Sequence, residues 1–196
     1  EITTTLMIDF ISDKTYKGID FTVKRLPRAE YEQCIFDTCN FSDGYLDGQN
    51  FMECTFTDCN LSNANIANTT FKELRFEHCK MMGLRFETCN TFLMDFTFLD
   101  CHLNMSSFTG LQLKNQKFTE CKLIGVDFTD SNLPLAVFDT CDMDKAIFSN
   151  TQLNKADFST AFNFNIDPET SKLLNAKFAI QGLPDLLRKY KLKISP

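Results

Sequence analysis

Large apolar residues recur along this chain at every fifth position. They run Tyr16, Phe21, Leu26, Tyr31, Phe36, Phe41, Leu46, Phe51, Phe56, Leu61, Ile66, Phe71, Phe76, Met81 and Phe86. After a shift of two they resume at Leu93 and continue Phe98, Leu103, Phe108, Leu113, Phe118, Leu123, Phe128, Leu133, Phe138, Met143, Phe148, Leu153 and Phe158. Two residues before many of these centres stands a smaller residue, such as Cys34, Cys54, Ala64, Ser106, Ala136 or Ala156. The remaining positions are mostly polar. This period fits neither an α-helix nor a flat alternating strand. In extended chain, residues two apart share a face, so each pentad predicts a short extended side with two inward residues, followed by a corner.

Four such sides bring the chain back above its start. Phe36, Phe56, Phe76, Phe98, Phe118, Phe138, Phe158 and Phe178 mark that return, at steps of twenty with one step of twenty-two. The next side carries Phe41, Leu61, Met81, Leu103, Leu123 and Met143, so like residues stack on like residues in successive coils. The pattern predicts an all-β solenoid of about eight coils, a rod on the order of 40 Å long at the usual spacing of parallel strands. The regular repeat occupies 1–163, and 164–196 forms a separate C-terminal segment. The two-residue slip falls within 87–97 and predicts a bulge, with either Phe92 or Phe96 forced out of the inward set. Phe92 is the candidate contact residue there, because bulges re-aim side chains.

Charge adds an asymmetry. The net charge is −6, but residues 31–163 carry nine basic and eighteen acidic groups, a net −9. An acidic body repels phosphate, which argues against direct nucleic-acid binding, and it favours solubility or a basic partner. No apolar run is long enough to span a membrane. The opening stretch EITTTLMIDFISDK lacks a cationic region followed by an apolar run, so no signal peptide is expected.

All nine cysteines fit the smaller inward position, with Cys89 fitting if Thr91 is a centre. The odd count and the absence of paired C-x-x-C spacing argue against a disulfide framework or a zinc site. Reduced thiols packed as small hydrophobes are expected, and with them a reducing cytoplasm. Candidate chemistry is sparse. His78 and His102 fall at outward positions, the seven glycines are isolated, and no acidic run has calcium-loop spacing. The expectation is a non-enzyme with no cofactor, metal or small-molecule substrate.

The pentads stop after Phe158. Asp167-Pro168-Glu169 predicts a helix start, with Asp as cap and Pro at the first position. Ala176 and Phe178 restore the small-x-large signature once more. A second short helix is expected after Gly182, with Leu183, Leu186, Leu187 and Tyr190 on one stripe, and Leu192 and Ile194 read as a short strand. Such a segment either caps the last coil of a monomer or also pairs with its twin in a homodimer. The four stripe residues are the candidate dimer contacts.

The pentads CIFDT, CNFSD, CTFTD, CNLSN, ANIAN, CKLIG, AVFDT, AIFSN and ADFST resemble the pentapeptide-repeat family over roughly 16–163. The resemblance implies a right-handed, quadrilateral parallel β-helix with a short C-terminal helical cap. The tail is similar to that of bacterial members that dimerise end to end. Some of these are quinolone-resistance proteins that imitate duplex DNA and bind DNA gyrase or topoisomerase IV. Two functions are therefore carried forward: a DNA-mimicking binder of a type II topoisomerase, and a general scaffold with another partner, docking near Phe92.

Overall fold

The chain forms the four-sided parallel β-solenoid that the pentads predict, as seen in a computed structural model that describes residues 8–195. On the first side, strands from Thr15–Lys17 to Lys177–Phe178 stack in parallel in a single nine-stranded sheet. Its inward centres are Tyr16, Phe36, Phe56, Phe76, Phe98, Phe118, Phe138, Phe158 and Phe178, nine layers that enclose eight turns. Strands Asp9–Ser12, Ala29–Glu32, Asn50–Met52 and Thr70–Lys72 line the N-terminal half of the fourth side. Isolated parallel bridges join coils elsewhere, for example Asn40 to Asn60 and Asn132 to Gln152.

The corners explain why five residues complete a side. The residue two past a centre adopts a left-handed backbone, as at Thr38, Asp58, His78, Asp100, Glu120 and Thr140, with φ between 48° and 57°. A single left-handed residue turns the chain without interrupting the bonds between coils. In the first half, the N–H of a residue reaches a carbonyl nineteen positions ahead, as Phe41 does to Asn60 at 2.7 Å. Across the slip that offset becomes twenty-one, as from Met81 to His102 at 2.8 Å.

Side chains fill the bore by the same logic. Phe36 stacks on Phe56 with ring centroids 4.6 Å apart, Phe76 on Phe98 at 5.5 Å and Phe158 on Phe178 at 5.1 Å. Rings on adjacent sides meet edge to face, as Phe108 and Phe118 do at 5.8 Å and 85°. Both are favoured aromatic arrangements, so each ring gains from its own side and from its neighbour. All nine cysteines are buried and free. All but the Cys121 thiol, which donates to Thr119, reach a carbonyl of the preceding coil, for example Cys59 to Phe36 at 3.2 Å, Cys79 to Phe56 at 3.3 Å and Cys101 to Phe76 at 3.3 Å. Ser106 and Thr151 make the same kind of bond, to Met81 and Phe128. The smaller inward position therefore selects a compact side chain that can also donate. Burial pushes the thiols of Cys54 and Cys89 up to about 12, which keeps them protonated and unreactive.

Four expectations need correction. Leu93 is not an inward centre: it is exposed, with φ 56°, and lies on the outside of the slip. Thr91 is exposed too, although Cys89 is buried without it. Asp167-Pro168-Glu169 forms one turn rather than a helix, with the Asp167 carboxylate accepting from the Glu169 N–H at 2.9 Å. Parallel pairing still resumes at Lys172, which bridges Gln152, so this turn substitutes for a corner. Finally, Leu192 and Ile194 form no strand, because no neighbouring edge pairs with them.

Phe118 is wholly buried between Phe98 and Phe138. A Phe118→Ala substitution is expected to destabilise the fold by about 3–5 kcal/mol, since ladder rings above and below hold the cavity open. Denaturant unfolding followed by circular dichroism checks this.

Candidate functional site

With the interior filled by the repeat, function must reside in outward positions, and three features stand out there. The first lies along the corner that closes the first side. Asp37, Asp58, Glu77, Asp100, Glu120 and Asp139 place one carboxylate on each of six consecutive coils. Asp37, Glu77 and Asp139 stand just after the Phe centre, whereas Asp58, Asp100 and Glu120 are left-handed corner residues. At the usual coil spacing they form a row with one charge per roughly 4.8 Å. Lys17 closes the row at its N-terminal end by an ion pair with Asp37 at 2.7 Å, and the hydrogen bond from Lys17 holds the Asp37 carboxyl below the usual carboxylate range. His78 sits within the row, its Nδ1 3.0 Å from Asp100, and the hydrogen bond to Asp100 raises the imidazole pKa. Lys80 and Lys122 border it on the second side.

The second feature is the slip. Asn90 still bridges Thr70, and Phe96 pairs with Leu74, so six residues span what four span in the preceding coil. The surplus loops outward and leaves Phe92 73 % exposed and Leu93 58 % exposed. Phe96 turns inward instead. It fills the space above Phe71 and packs on Phe86, with ring centroids 5.3 Å apart. Of the two aromatics in question, Phe92 is thus the one displaced.

The third feature is the C-terminal cap. Phe164 folds under the last coil, 5.9 Å from Phe158 and 5.5 Å from Phe178 between ring centroids. A run of 3₁₀, α and 3₁₀ turns, with the α-helical turn at Leu183–Leu186, then crosses that end. Gly182 lies so close to Phe164 that an added Cβ would come within 2.7 Å of the ring. Lys189 Nζ bridges Asp167 at 2.6 Å and Glu169 at 2.5 Å, and Tyr190 donates to Glu169. The Lys189 ammonium holds both carboxyls below their usual range. The expected stripe divides: Leu186 packs on the core, while Leu183, Leu187 and Tyr190 face outward beside the exposed Ile180. The four do not share one face because the α-helical turn is only four residues long.

Other chemistry is thin. Among the described residues, no group of three His, Cys, Asp or Glu side chains is placed to hold a metal ion. No described helix is long and apolar enough to cross a membrane. The acidic row is not legible in one dimension, because its members are divided between two sequence positions that only the corner geometry brings side by side.

Comparison with known proteins fits this architecture. Residues 49–128 match the family described as Pentapeptide repeat region, and residues 121–159 match Pentapeptide repeats (8 copies). No curated protein sequence matches the chain. Among solved structures, a trypsin-treated variant of QnrB1, a plasmid-mediated fluoroquinolone resistance protein, superimposes with a TM-score of 0.63 at 14 % identity, covering 97 % of this chain and 100 % of that one. Full-length QnrB1 gives a TM-score of 0.62 at 15 % identity, covering 93 % of this chain and 100 % of that one. HetL from the cyanobacterium Nostoc sp. strain PCC 7120 gives 0.43 at 12 % identity, covering 85 % and 86 %. The two family matches together span 49–159, more than half of a chain whose pentads close into four-sided coils: it belongs to the pentapeptide-repeat family.

Proposed function

We propose that this protein is a non-catalytic interaction module whose carboxylate row engages a basic, DNA-binding surface on a partner protein. The first candidate partner is a type II topoisomerase, DNA gyrase or topoisomerase IV. The observation that carries this reading is the unbroken row of six carboxylates from Asp37 to Asp139. The fold shared with QnrB1, a plasmid-mediated fluoroquinolone resistance protein, directs the choice of partner and a role in quinolone resistance. The row is sparser than duplex DNA, which carries one charge per roughly 1.7 Å of axis, so shape must add to charge. The same acidity disfavours direct nucleic-acid binding, and nine reduced thiols suit the cytoplasm.

Gyrase supercoiling assays with and without ciprofloxacin test this. The protein is expected to inhibit supercoiling or to protect it from the drug, and Asp58→Asn combined with Glu77→Gln and Glu120→Gln is expected to lose the effect. A protein with neither effect removes the topoisomerase reading. The interaction should also strengthen as pH rises through the titration of His78, because loss of its proton restores net charge to the row. That transition lies above the ordinary imidazole value, and His78→Gln abolishes it.

The cap supports a homodimer formed end to end through Leu183, Leu187 and Tyr190, with Leu186 anchoring the segment from beneath. Leu187→Glu should shift sedimentation toward monomer, and an unchanged mass counts against that contact. The exposure of Phe92 favours a second reading, a scaffold that docks another protein at the slip. Pull-down with wild type against Phe92→Ser separates the two: a bound protein lost on substitution supports the scaffold, whereas one retained by Phe92→Ser opposes it.

A further inference from the structure

The fourth side is charged in opposite senses at its two ends. Its inward centres are Ile11, Tyr31, Phe51 and Phe71 before the slip, and Leu113, Leu133, Leu153 and Leu173 after it. The slip is the middle layer, with four on either side. Outward positions of the N-terminal half hold Asp13, Glu30, Glu32, Glu53 and Glu73, against Lys72 alone. Outward positions of the C-terminal half hold Lys114, Lys155 and Lys172 and no carboxylate.

From this arrangement we infer that the fourth side is a self-complementary surface on which a second copy of this chain docks antiparallel, side by side, about a two-fold axis through the slip. An isologous contact requires each patch to face its complement when the chain is reversed. Reversal about the middle layer sets Glu30 and Glu32 against the layer of Lys155. Asp13 meets the layer of Lys172. Met52, exposed, meets Pro134 and the exposed Leu135. Phe10 and Leu174, 60 % and 70 % exposed, fall in the same pair of layers. At the centre Phe92 meets the slip of the twin, where Leu93, Met94 and Phe96 line an open hollow of about 500 Å³. The one like-charged juxtaposition, Lys72 with Lys114, lies beside Glu73 and Asp95, which also border that hollow.

The alternative of parallel rods fails on charge. It would set the carboxylates of one N-terminal half against those of the other, and like charges across an interface are costly. The extent is adequate for a reversible dimer. Nine layers span about 40 Å and a four-residue side about 13 Å, which gives roughly 500 Å² per copy and roughly 1,000 Å² in all, the lower bound for a specific contact. This surface is separate from both the carboxylate row and the cap.

The experiment uses the full chain carrying Leu187→Glu, which is expected to break the end contact proposed above. Sedimentation equilibrium across a concentration series is expected to show a monomer–dimer equilibrium that weakens with added salt. In that background, Glu30→Lys with Glu32→Lys, and separately Lys155→Glu with Lys172→Glu, should each raise the dimer Kd by roughly tenfold or more. An equimolar mixture of the two reversed variants should recover the dimer, because each now presents to the other the charge it lacks. Recovery also shows that both variants are folded. A parent that stays monomeric throughout overturns the inference. So does a dimer indifferent to both reversals, or a mixture that remains monomeric while both variants retain the wild-type circular dichroism spectrum.

Discussion

Everything in this fold rests on one register: the main-chain hydrogen bonds that tie each coil to the next at a fixed offset. Once a residue is bonded to its counterpart one turn away, its side chain must lie above a side chain of the same kind. The stacked phenylalanines, the aligned thiols and the carboxylate row all follow from it. None requires a contact between parts of the chain distant along the rod. Each coil is stabilised by its two neighbours, so the core is continuous although it is built from local pieces.

The register also explains which features could be read from the residues and which could not. The ladder from Phe36 to Phe178 was legible because burial repeats its demand every turn, and one step of twenty-two located the slip. Leu93 was misplaced because spacing loses its meaning where the chain leaves the ladder. Beyond Asn90 no bond to the preceding coil sets the phase until the Asp95 N–H donates to the Phe71 carbonyl at 3.0 Å, after which Phe96 pairs with Leu74 and its ring takes the space above Phe71. The cysteines read as compact inward residues, but the second role of most of them, donation to a carbonyl of the previous coil, depends on how that coil lies beneath them, which spacing does not state.

The outward surfaces were less legible for a physical reason. An inward position is constrained by its neighbours above and below, whereas an outward one answers only to solvent and partners. The carboxylates from Asp37 to Asp139 occupy two sequence columns that merge into one row only at the corner. In the cap, the spacing of Leu183, Leu186, Leu187 and Tyr190 is that of an α-helix, but the α-helical turn ends at Leu186 and Lys191 turns left-handed at φ 52°. Docking on Phe164, with Gly182 as the point of close approach, governs the path of that segment more than helical propensity does.

The position of the slip has a consequence for how such a rod can change over time. Gain or loss of one twenty-residue coil would leave every contact between coils satisfied, so the fold itself places no limit on length. The fourth side is not indifferent, because its halves match only while the slip divides them evenly. One coil inserted within either half would set every layer beyond it out of step with its counterpart across the axis. Length, which is neutral for folding, would then be held fixed by symmetry.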